Sequence, residues 1–271
     1  MHQTIKPLLT LLACIILVSF AKKLDAGGAG TIGLGSGIKP LSRIQHDEWN
    51  GLLDRHVDVN GFVDYRTWHR GEDRQKLQNY LKDLSTADLS GSSRQDRLAF
   101  WINAYNAITV EAILREYPTD SIRNHTAKLF GYNLWEDFTL RVDGKQYSLD
   151  QIEHQILRKM NEPRIHFAIV CASKGCPRLL NAAYEPESID EQLDANAKHF
   201  FAQSQNFSLE GSTVYLSSIL DWFGEDFGSG ESGVLKRVIS EKWVDSATAK
   251  RLANQRLKVR YRDYDWSLNG R

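Results

Sequence analysis

Apolar residues follow a helical repeat in several segments of the chain. In residues 42–57, the positions i, i+3, i+4 and i+7 are Trp49, Leu52, Leu53 and His56, which form one face of an α-helix. Further helices are predicted over 72–84, 148–160, 188–204, 234–243 and 246–255. A longer helix is predicted over 91–118. It is apolar on almost every side, so it is expected to be central and buried.

Extended segments are shorter and are mostly joined by tight turns. Hairpins are predicted over 57–65, 136–149 and 207–216, each with a turn-forming dipeptide that ends in glycine. The apolar run 164–173 predicts a strand, with a buried helix as the alternative, and 257–266 predicts a closing strand. Helices and hairpins alternate without a strand–helix–strand rhythm. This favours a helix-rich α+β single domain with short β-hairpins and a small sheet.

The first 26 residues have a pattern of their own. A weakly basic start at Lys6 precedes an apolar run from Leu8 to Phe20, which Lys22 and Lys23 close. The run is short for a membrane span and typical of a secretory signal, so no stable span is expected beyond it. We expect cleavage and export to the periplasm or the outside. The alternatives are an uncleaved anchor in the inner membrane and a lipoprotein modified at Cys14.

Composition then divides the rest of the chain into a tether and one domain. Residues 27–40 are rich in glycine and predict a flexible tether, while 41–271 is expected to form a single globular domain. The chain holds 34 basic and 34 acidic residues, so its formal net charge is zero. This balance argues against a nucleic-acid partner.

Outside the signal segment the chain has two cysteines, which stand close together in HFAIVCASKGCP, residues 166–177. Three interpretations remain open. The pair is a structural disulfide of an exported protein, a redox pair, or one nucleophilic thiolate with a histidine base. Closing so short a loop stabilises a fold by only about 2 kcal/mol. A short, strained loop is also easily reduced, which suits a redox pair.

The surroundings of the second cysteine make it the better nucleophile. Cys176 follows a glycine and precedes a proline, and Lys174 and Arg178 flank it. Nearby positive charge lowers a thiol pKa, so we expect Cys176 to attack and Cys171 to resolve. The spacing of the cysteines is within the range of zinc ligands, but no second Cys/His pair stands at a fixed spacing. We therefore expect neither a metal nor a cofactor.

Polar side chains on the predicted helix 148–160 are candidates for proton transfer. Glu153 falls inside the apolar arc of this helix and needs a partner or a raised pKa there. It is either a general acid/base, which could also orient a histidine, or the partner of a core arginine such as Arg164. His154 and Arg158 lie on another side of the helix and can act together because they are four residues apart.

Three more polar residues fall in apolar surroundings. If 164–171 is a strand, His166 and Cys171 point to opposite faces, and His166 is either a core residue or a proton carrier. Asn103 and Asn106 share a stripe of the long helix and must be hydrogen-bonded if buried. They either tie irregular backbone near the cysteine loop or contact a ligand.

Several motifs in one order resemble a known family. The stretches are FWINAYNA, DGKQYSLDQIEHQILR, PRIHFAIVCASKGCP, DWFGEDF and YDWSLN, and they extend from about Leu98 to Asn269. They resemble the family called domain of unknown function 547. Motif positions match at Asn103, Asn106, Glu153, His154, Arg158, His166, Cys171, Cys176 and Pro177. The resemblance implies a fold and the place of a site but no reaction. Plant relatives fused to glutaredoxin-like domains point by analogy to thiol chemistry.

Three functional hypotheses follow. In the first, Cys176 attacks a disulfide, Cys171 resolves it, and His154 or His166 carries the proton. In the second, a cysteine hydrolase or acyl transferase uses Cys176 and a histidine, with Asn103 or Glu153 orienting that histidine. In the third, the protein is a binding module with a structural disulfide. The expected partner is an unidentified small molecule or a protein thiol.

Overall fold

The computed structural model describes residues 30–126, 133–228, 230–254 and 256–271. The expected signal over 1–26, its two alternatives and the start of the tether lie outside the described residues. Within the described ranges, no helix combines the length and the apolar content that crossing a membrane requires.

Helices make up most of the described fold. The α-helices span Asp47–His56, Tyr65–Arg70, Asp73–Leu84, Arg94–Glu116, Leu134–Asp137, Leu149–Gln151, Ile189–Ala202, Ile219–Trp222, Gly224–Phe227, Gly230–Ser240 and Ser246–Asn254. Short 3-10 helices span Leu41–Arg43, Ile122–His125, Arg158–Met160 and Pro163–Phe167. A π-helical turn spans Ile152–Leu157.

The helix Arg94–Glu116, called the central helix below, organises the core. It begins with a capping box in which Ser93 and Asp96 bond to each other's backbone N–H groups. Every residue from Leu98 to Leu114 is buried, as the apolar pattern predicts. The helix ends at Glu116, two residues before Pro118, because the residue preceding a proline is driven out of the helical region.

Three small sheets flank the helices. Thr139–Val142 and Lys145–Ser148 form the hairpin predicted around Asp143–Gly144, and Thr31–Ile32 pairs in parallel with the first of these strands. In a second sheet, Thr213–Leu216 lies between antiparallel Phe207–Glu210 and parallel Lys258–Tyr261. The third sheet pairs Lys39–Pro40 with Ala87–Asp88. The helix-rich α+β single domain is thereby confirmed.

The prediction of a flexible tether is wrong for residues 30–40. Two short strands in this segment pair with the domain, and Ile32 is buried in the core. Gly33 has a φ of +66°, and a Cβ there would lie 2.2 Å from the carbonyl oxygen of Leu81. This glycine therefore permits close approach to the domain and does not signal a loose linker.

The predicted strand over 164–173 is also wrong. Residues Pro163–Phe167 form a 3-10 helix, and of the following residues only Ser173 makes a β-bridge, to Leu268. The segment from Ile165 to Val170 is buried between helices. Its apolar composition thus reflects burial, which periodicity alone does not distinguish from strand pairing.

Buried side chains form two hydrophobic clusters. The first surrounds the central helix and includes Trp49, Phe100 and Leu157. The second lies around Phe167 and Trp243. The segment 163–176 lies mostly in the first cluster and inserts Phe167 into the second, and the candidate site lies along it.

Candidate functional site

Two buried asparagines of the central helix fix the backbone around the site. Asn106 donates to the carbonyl oxygen of Ala168 at 3.0 Å and accepts from the N–H of Val170 at 3.0 Å. Asn103 makes the same pair of bonds with the backbone of Tyr184. Both asparagines thus tie irregular backbone, as one of the two interpretations expected. Asn103 is not among the residues around the sulfur atoms.

The thiol loop, residues 171–176, is fixed in place by the end of the chain. Lys174 and Gly175 donate their N–H groups to the carbonyl oxygens of Ser267 and Asp265, each at 2.8 Å. A Cβ on Gly175 would lie 2.9 Å from both the Asp265 nitrogen and the ring of Tyr264. The glycine is therefore needed for this close approach.

Both cysteines are free thiols, and one hydroxyl group contacts both sulfurs. The Tyr264 oxygen lies 3.0 Å from the Sγ of Cys171 and 3.0 Å from the Sγ of Cys176. Ser173 Oγ lies 2.7 Å from the same oxygen, and the N–H of Cys171 donates to Cys176 Sγ at 2.9 Å. Among the described residues, no imidazole lies within hydrogen-bonding distance of either sulfur.

This hydrogen bonding moves the pKa values of the two thiols in opposite directions. Burial alone would raise the pKa of Cys176. Hydrogen bonds from Cys171, Tyr264 and Ser173 outweigh burial and lower that pKa to about 6. The bond to Cys176, together with burial, raises the pKa of Cys171 well above its usual value. Burial likewise raises the pKa of Tyr264, so its hydroxyl keeps its proton and can donate it.

The pKa values and the sequence pattern favour the same cysteine as the more acidic thiol, but for different physical reasons. Cys176 has the lower pKa, but hydrogen bonds lower it, and the flanking basic residues do not. Lys174 is exposed, and the Arg178 guanidinium bonds to Asn196 and to the carbonyl oxygen of Val59.

An aromatic crevice with a volume of about 180 Å³ opens beside the two thiols. Its lining combines Cys171, Cys176, Glu153 and His166 with aromatic residues. The aromatic residues are Tyr105, Trp135, Trp222, Phe223, Tyr264 and Trp266. The crevice thus brings together four of the six predicted site residues.

His166 is held by a carboxylate that sequence analysis did not select. Its Nε2 lies 2.7 Å from Asp226 Oδ2, and its ring stacks on Phe223 with centroids 4.2 Å apart. Burial alone would raise the pKa of Asp226, but hydrogen bonds from His166 and Arg158 hold it well below its usual value. Asp226 is therefore ionised and accepts from Nε2–H. In the neutral imidazole this makes Nδ1 an acceptor, and Nδ1 is buried without a partner.

Glu153 and His154 are adjacent on one helix but lie in different surroundings. This helix begins with the predicted Ser148–Gln151 capping box and widens into the π-helical turn at Ile152. Glu153 is half-buried in the crevice and accepts from the Tyr105 hydroxyl at 3.1 Å. Such π turns are frequent at functional sites.

Two side-chain pairs were also expected to involve this helix, and the structure contains one of them. The proposed ion pair between Glu153 and Arg164 is wrong, since Arg164 bonds to Glu162 and Asp190 instead. His154 does act together with Arg158, whose Nη1 lies 3.1 Å from its Nδ1. His154 is not part of the crevice lining.

The residues that complete the site were present in quoted motifs but were not selected. Asp226 is the penultimate residue of the DWFGEDF motif, and Tyr264 is the first residue of YDWSLN. The pattern of neighbouring residues gave no sign that Asp226 reaches His166, 60 residues away, or that Tyr264 reaches Cys176, 88 residues away.

The fold and the site together define a helix-rich α+β protein with a paired-thiol centre beside an aromatic crevice. Residues 89–201 match the family model described as "Protein of unknown function, DUF547". Over these residues the chain carries a DUF547 domain, as the resemblance implied. The match includes all six predicted site residues, whereas Asp226 and Tyr264 lie beyond it. No curated protein and no solved structure matched the chain.

Proposed function

We propose that the protein exchanges thiols with disulfides through Cys176 and Cys171. One observation carries the proposal: two free thiols share the Tyr264 hydroxyl, and their pKa values are moved apart. At neutral pH this arrangement favours a thiolate on Cys176 and a protonated thiol on Cys171. A nucleophile with a pKa just below ambient pH is close to the optimum for attacking a disulfide.

The reaction takes two steps and transfers two electrons. The Cys176 thiolate attacks one sulfur of a substrate disulfide, forming a mixed disulfide and releasing the first substrate thiolate. Cys171 then loses its proton and attacks Cys176 Sγ, which releases the second substrate thiolate and forms the Cys171–Cys176 disulfide. The substrate is reduced and the protein is oxidised. A dithiol returns the protein to its starting state by the reverse exchange.

Two side chains that line the crevice, His166 and Glu153, are candidates to carry protons during this exchange. The Nδ1 of His166 bonds to none of the described residues, and Glu153 is half-buried in the same crevice. Either group is suited to take the proton that Cys171 loses and to pass it to a leaving thiolate. His154, which the sequence offered as an alternative carrier, is less suited because it bonds to Arg158 outside the crevice.

The proposal is tested with bis(2-hydroxyethyl) disulfide, a neutral small disulfide. We expect the natural protein to form its internal disulfide and to release both substrate thiols. Cys171→Ser should stop at a mixed disulfide on Cys176, and Cys176→Ser should react at least about tenfold more slowly at neutral pH, because its remaining thiol is protonated. Intact-mass measurement distinguishes these products, and dithiothreitol should restore the starting mass.

Two results would contradict redox exchange. One is an internal disulfide that resists strong reductant. The other is a Cys176→Ser variant that reacts as fast as the natural protein.

A second candidate, a cysteine hydrolase or acyl transferase, has one observation in its favour. Asp226 orients His166, which lines the same crevice as Cys176, and no described residue bonds to the buried Nδ1. A carbonyl carbon would replace the substrate sulfur as the target of Cys176, and Cys171 would not be needed. Ester turnover that survives Cys171→Ser but is lost in Cys176→Ser and His166→Gln would select this function over redox exchange.

The binding-module hypothesis has less support, since it requires a structural disulfide and both sulfurs are unbonded. Export also stays a proposal. It rests on the pattern of residues 1–26, and an oxidising compartment would supply disulfides to such a dithiol. The N-terminal sequence of the mature protein decides between cleavage and an uncleaved anchor.

A further inference from the structure

A second cavity, called the polar cavity below, adjoins Cys176 and contains cationic groups. Its volume is about 320 Å³, which is the size of a small-molecule site. Cys176 and Pro177 line both this cavity and the aromatic crevice. Lys174, Arg178 and His199 also contribute to its lining, and none of the described residues that line it is acidic.

Arg178 is the strongest sign that this cavity receives an anion. Its guanidinium bonds to the side-chain oxygen of Asn196 at 2.8 Å and to the carbonyl oxygen of Val59 at 3.1 Å, and both acceptors are neutral. No described carboxylate lies within 4.0 Å of it. By contrast, Arg158 and Arg164 each pair with two or more carboxylates. A half-buried cation without a counter-charge is costly, and an anion in the cavity would remove that cost.

The other polar side chains that line the polar cavity also favour an anion. Lys174 adds a second, exposed positive charge on the thiol loop itself. Burial, and then Arg178, lower the pKa of His199, so at neutral pH it contributes hydrogen bonding and no charge. Gln203, Gln205 and Asn206 supply neutral amide groups. The cavity thus combines two cations with neutral donors, which suits an anionic group such as a carboxylate.

We propose that the polar cavity binds the anionic group of a small disulfide and thereby places its sulfur at Cys176. This inference rests on the proposed redox function and names its substrate class: low-molecular-weight disulfides that carry negative charge. The leaving half of the substrate then lies on the side of the aromatic crevice, where His166 and Glu153 are found.

Three aliphatic disulfides that differ in charge test the inference. They are 3,3′-dithiodipropionate, which is anionic, bis(2-hydroxyethyl) disulfide, which is neutral, and cystamine, which is cationic. Each rate with the protein is divided by the rate of the same disulfide with a small neutral thiol, so that differences in leaving group cancel. We expect the anionic disulfide to react about tenfold faster than the neutral one and the cationic one to react slowest. This order should weaken at high salt.

Variants test whether the preference for the anionic disulfide arises in the polar cavity. Lys174→Gln should reduce the ratio of the anionic to the neutral rate several-fold, and Lys174→Glu should invert the preference. Arg178→Gln should abolish the preference, but Arg178 also bonds to Asn196 and Val59, so its fold is checked by circular dichroism. Lys145→Gln removes an exposed charge on a hairpin and is the matched control that should change nothing.

The outcomes separate this inference from the proposed function. If all three disulfides oxidise the protein to its internal disulfide at equal normalised rates, the anionic substrate class is wrong and the redox function stands. The same conclusion follows if Lys174→Glu keeps the natural order of rates. If none of the three yields the internal disulfide, the redox function itself is wrong.

Discussion

At the scale of single residues, the hydrogen-bond donors around the two sulfurs determine how the two thiols differ. Tyr264 lies 3.0 Å from each sulfur, and its own pKa is raised, so it donates to whichever sulfur is ionised. The N–H of Cys171 adds a second bond, and this bond reaches Cys176 alone. The difference between two chemically identical side chains thus arises from the donors around them.

Removing that hydroxyl should make Cys176 less acidic. In Tyr264→Phe the thiolate loses one donor, and we expect the pKa of Cys176 to rise by about one to two units from about 6. The measurement is the pH dependence of iodoacetamide alkylation, with the modified cysteine identified by mass spectrometry. In the natural protein the rate should rise through pH 6, and in the variant through a higher pH.

Tyr261→Phe is the matched control, because Tyr261 lies on the strand Lys258–Tyr261 and bonds to neither sulfur. Superimposable profiles for the natural protein and Tyr264→Phe would show that the hydroxyl does not stabilise the thiolate.

At the scale of elements, the site depends on the junction between the thiol loop and the end of the chain. Backbone bonds from Lys174 and Gly175 fix the loop against residues 265–267. The same junction places the Tyr264 ring against Gly175. A change in backbone packing at this junction should therefore alter both the pKa of Cys176 and the free energy of unfolding.

Gly175→Ala tests this coupling. The added Cβ would lie 2.9 Å from the backbone nitrogen of Asp265, which cannot yield as a flexible side chain would. We expect a loss of about 1–3 kcal/mol in the free energy of unfolding and a higher pKa for Cys176, because Tyr264 must move. Urea denaturation and the alkylation profile measure the two effects.

Gly51→Ala is the control for that substitution, since a Cβ there meets only the Arg55 side chain at 3.4 Å, inside the helix Asp47–His56. It should be neutral or slightly stabilising. A Gly175→Ala variant that keeps both the stability and the alkylation profile of the natural protein would show that the junction tolerates the methyl group.

Elements that local sequence determines were predictable, and those that depend on distant contacts were not. The central helix and the hairpin at Asp143–Gly144 follow from apolar pattern and turn residues. The segment 164–173 was assigned wrongly because burial produces the same apolar run in a strand and in a 3-10 helix. The partnership of Asp226 with His166 spans 60 residues, and periodicity carries no information about it.

At the scale of the whole molecule, the aromatic crevice lies between the two hydrophobic clusters. Trp135 and Trp266 pack on the cluster around the central helix, whereas Phe223 and Tyr264 pack on the other cluster. Clefts between separately packed units are common places for ligand sites. The catalytic groups that we propose therefore depend on correct packing in both halves of the fold.

A buried histidine in the first half should make global stability depend on pH. Burial lowers the pKa of His46 to about 4, with the Tyr80 oxygen 2.7 Å from its Nδ1. Between pH 6.5 and 4 the unfolded chain binds a proton at this residue and the folded chain does not, so stability falls as the pH falls. The expected loss from this residue is about 3 kcal/mol.

Urea denaturation at several pH values measures this dependence. His46→Gln cannot titrate, so its free energy of unfolding should fall less steeply between pH 6.5 and 4 than that of the natural protein. Equal slopes for the two proteins would assign the acid sensitivity to other groups.

The distance along the chain between Cys176 and Tyr264 has a consequence for biosynthesis. The cysteine leaves the ribosome 88 residues before its phenol partner, at a stage when the Tyr264 hydroxyl cannot yet lower its pKa. In a nascent or truncated chain, Cys176 would therefore have a higher pKa and react more slowly. If the proposed thiol exchange holds, Cys176 would reach its full nucleophilicity only after residues 264–267 have docked, which would limit premature cross-linking of the immature polypeptide.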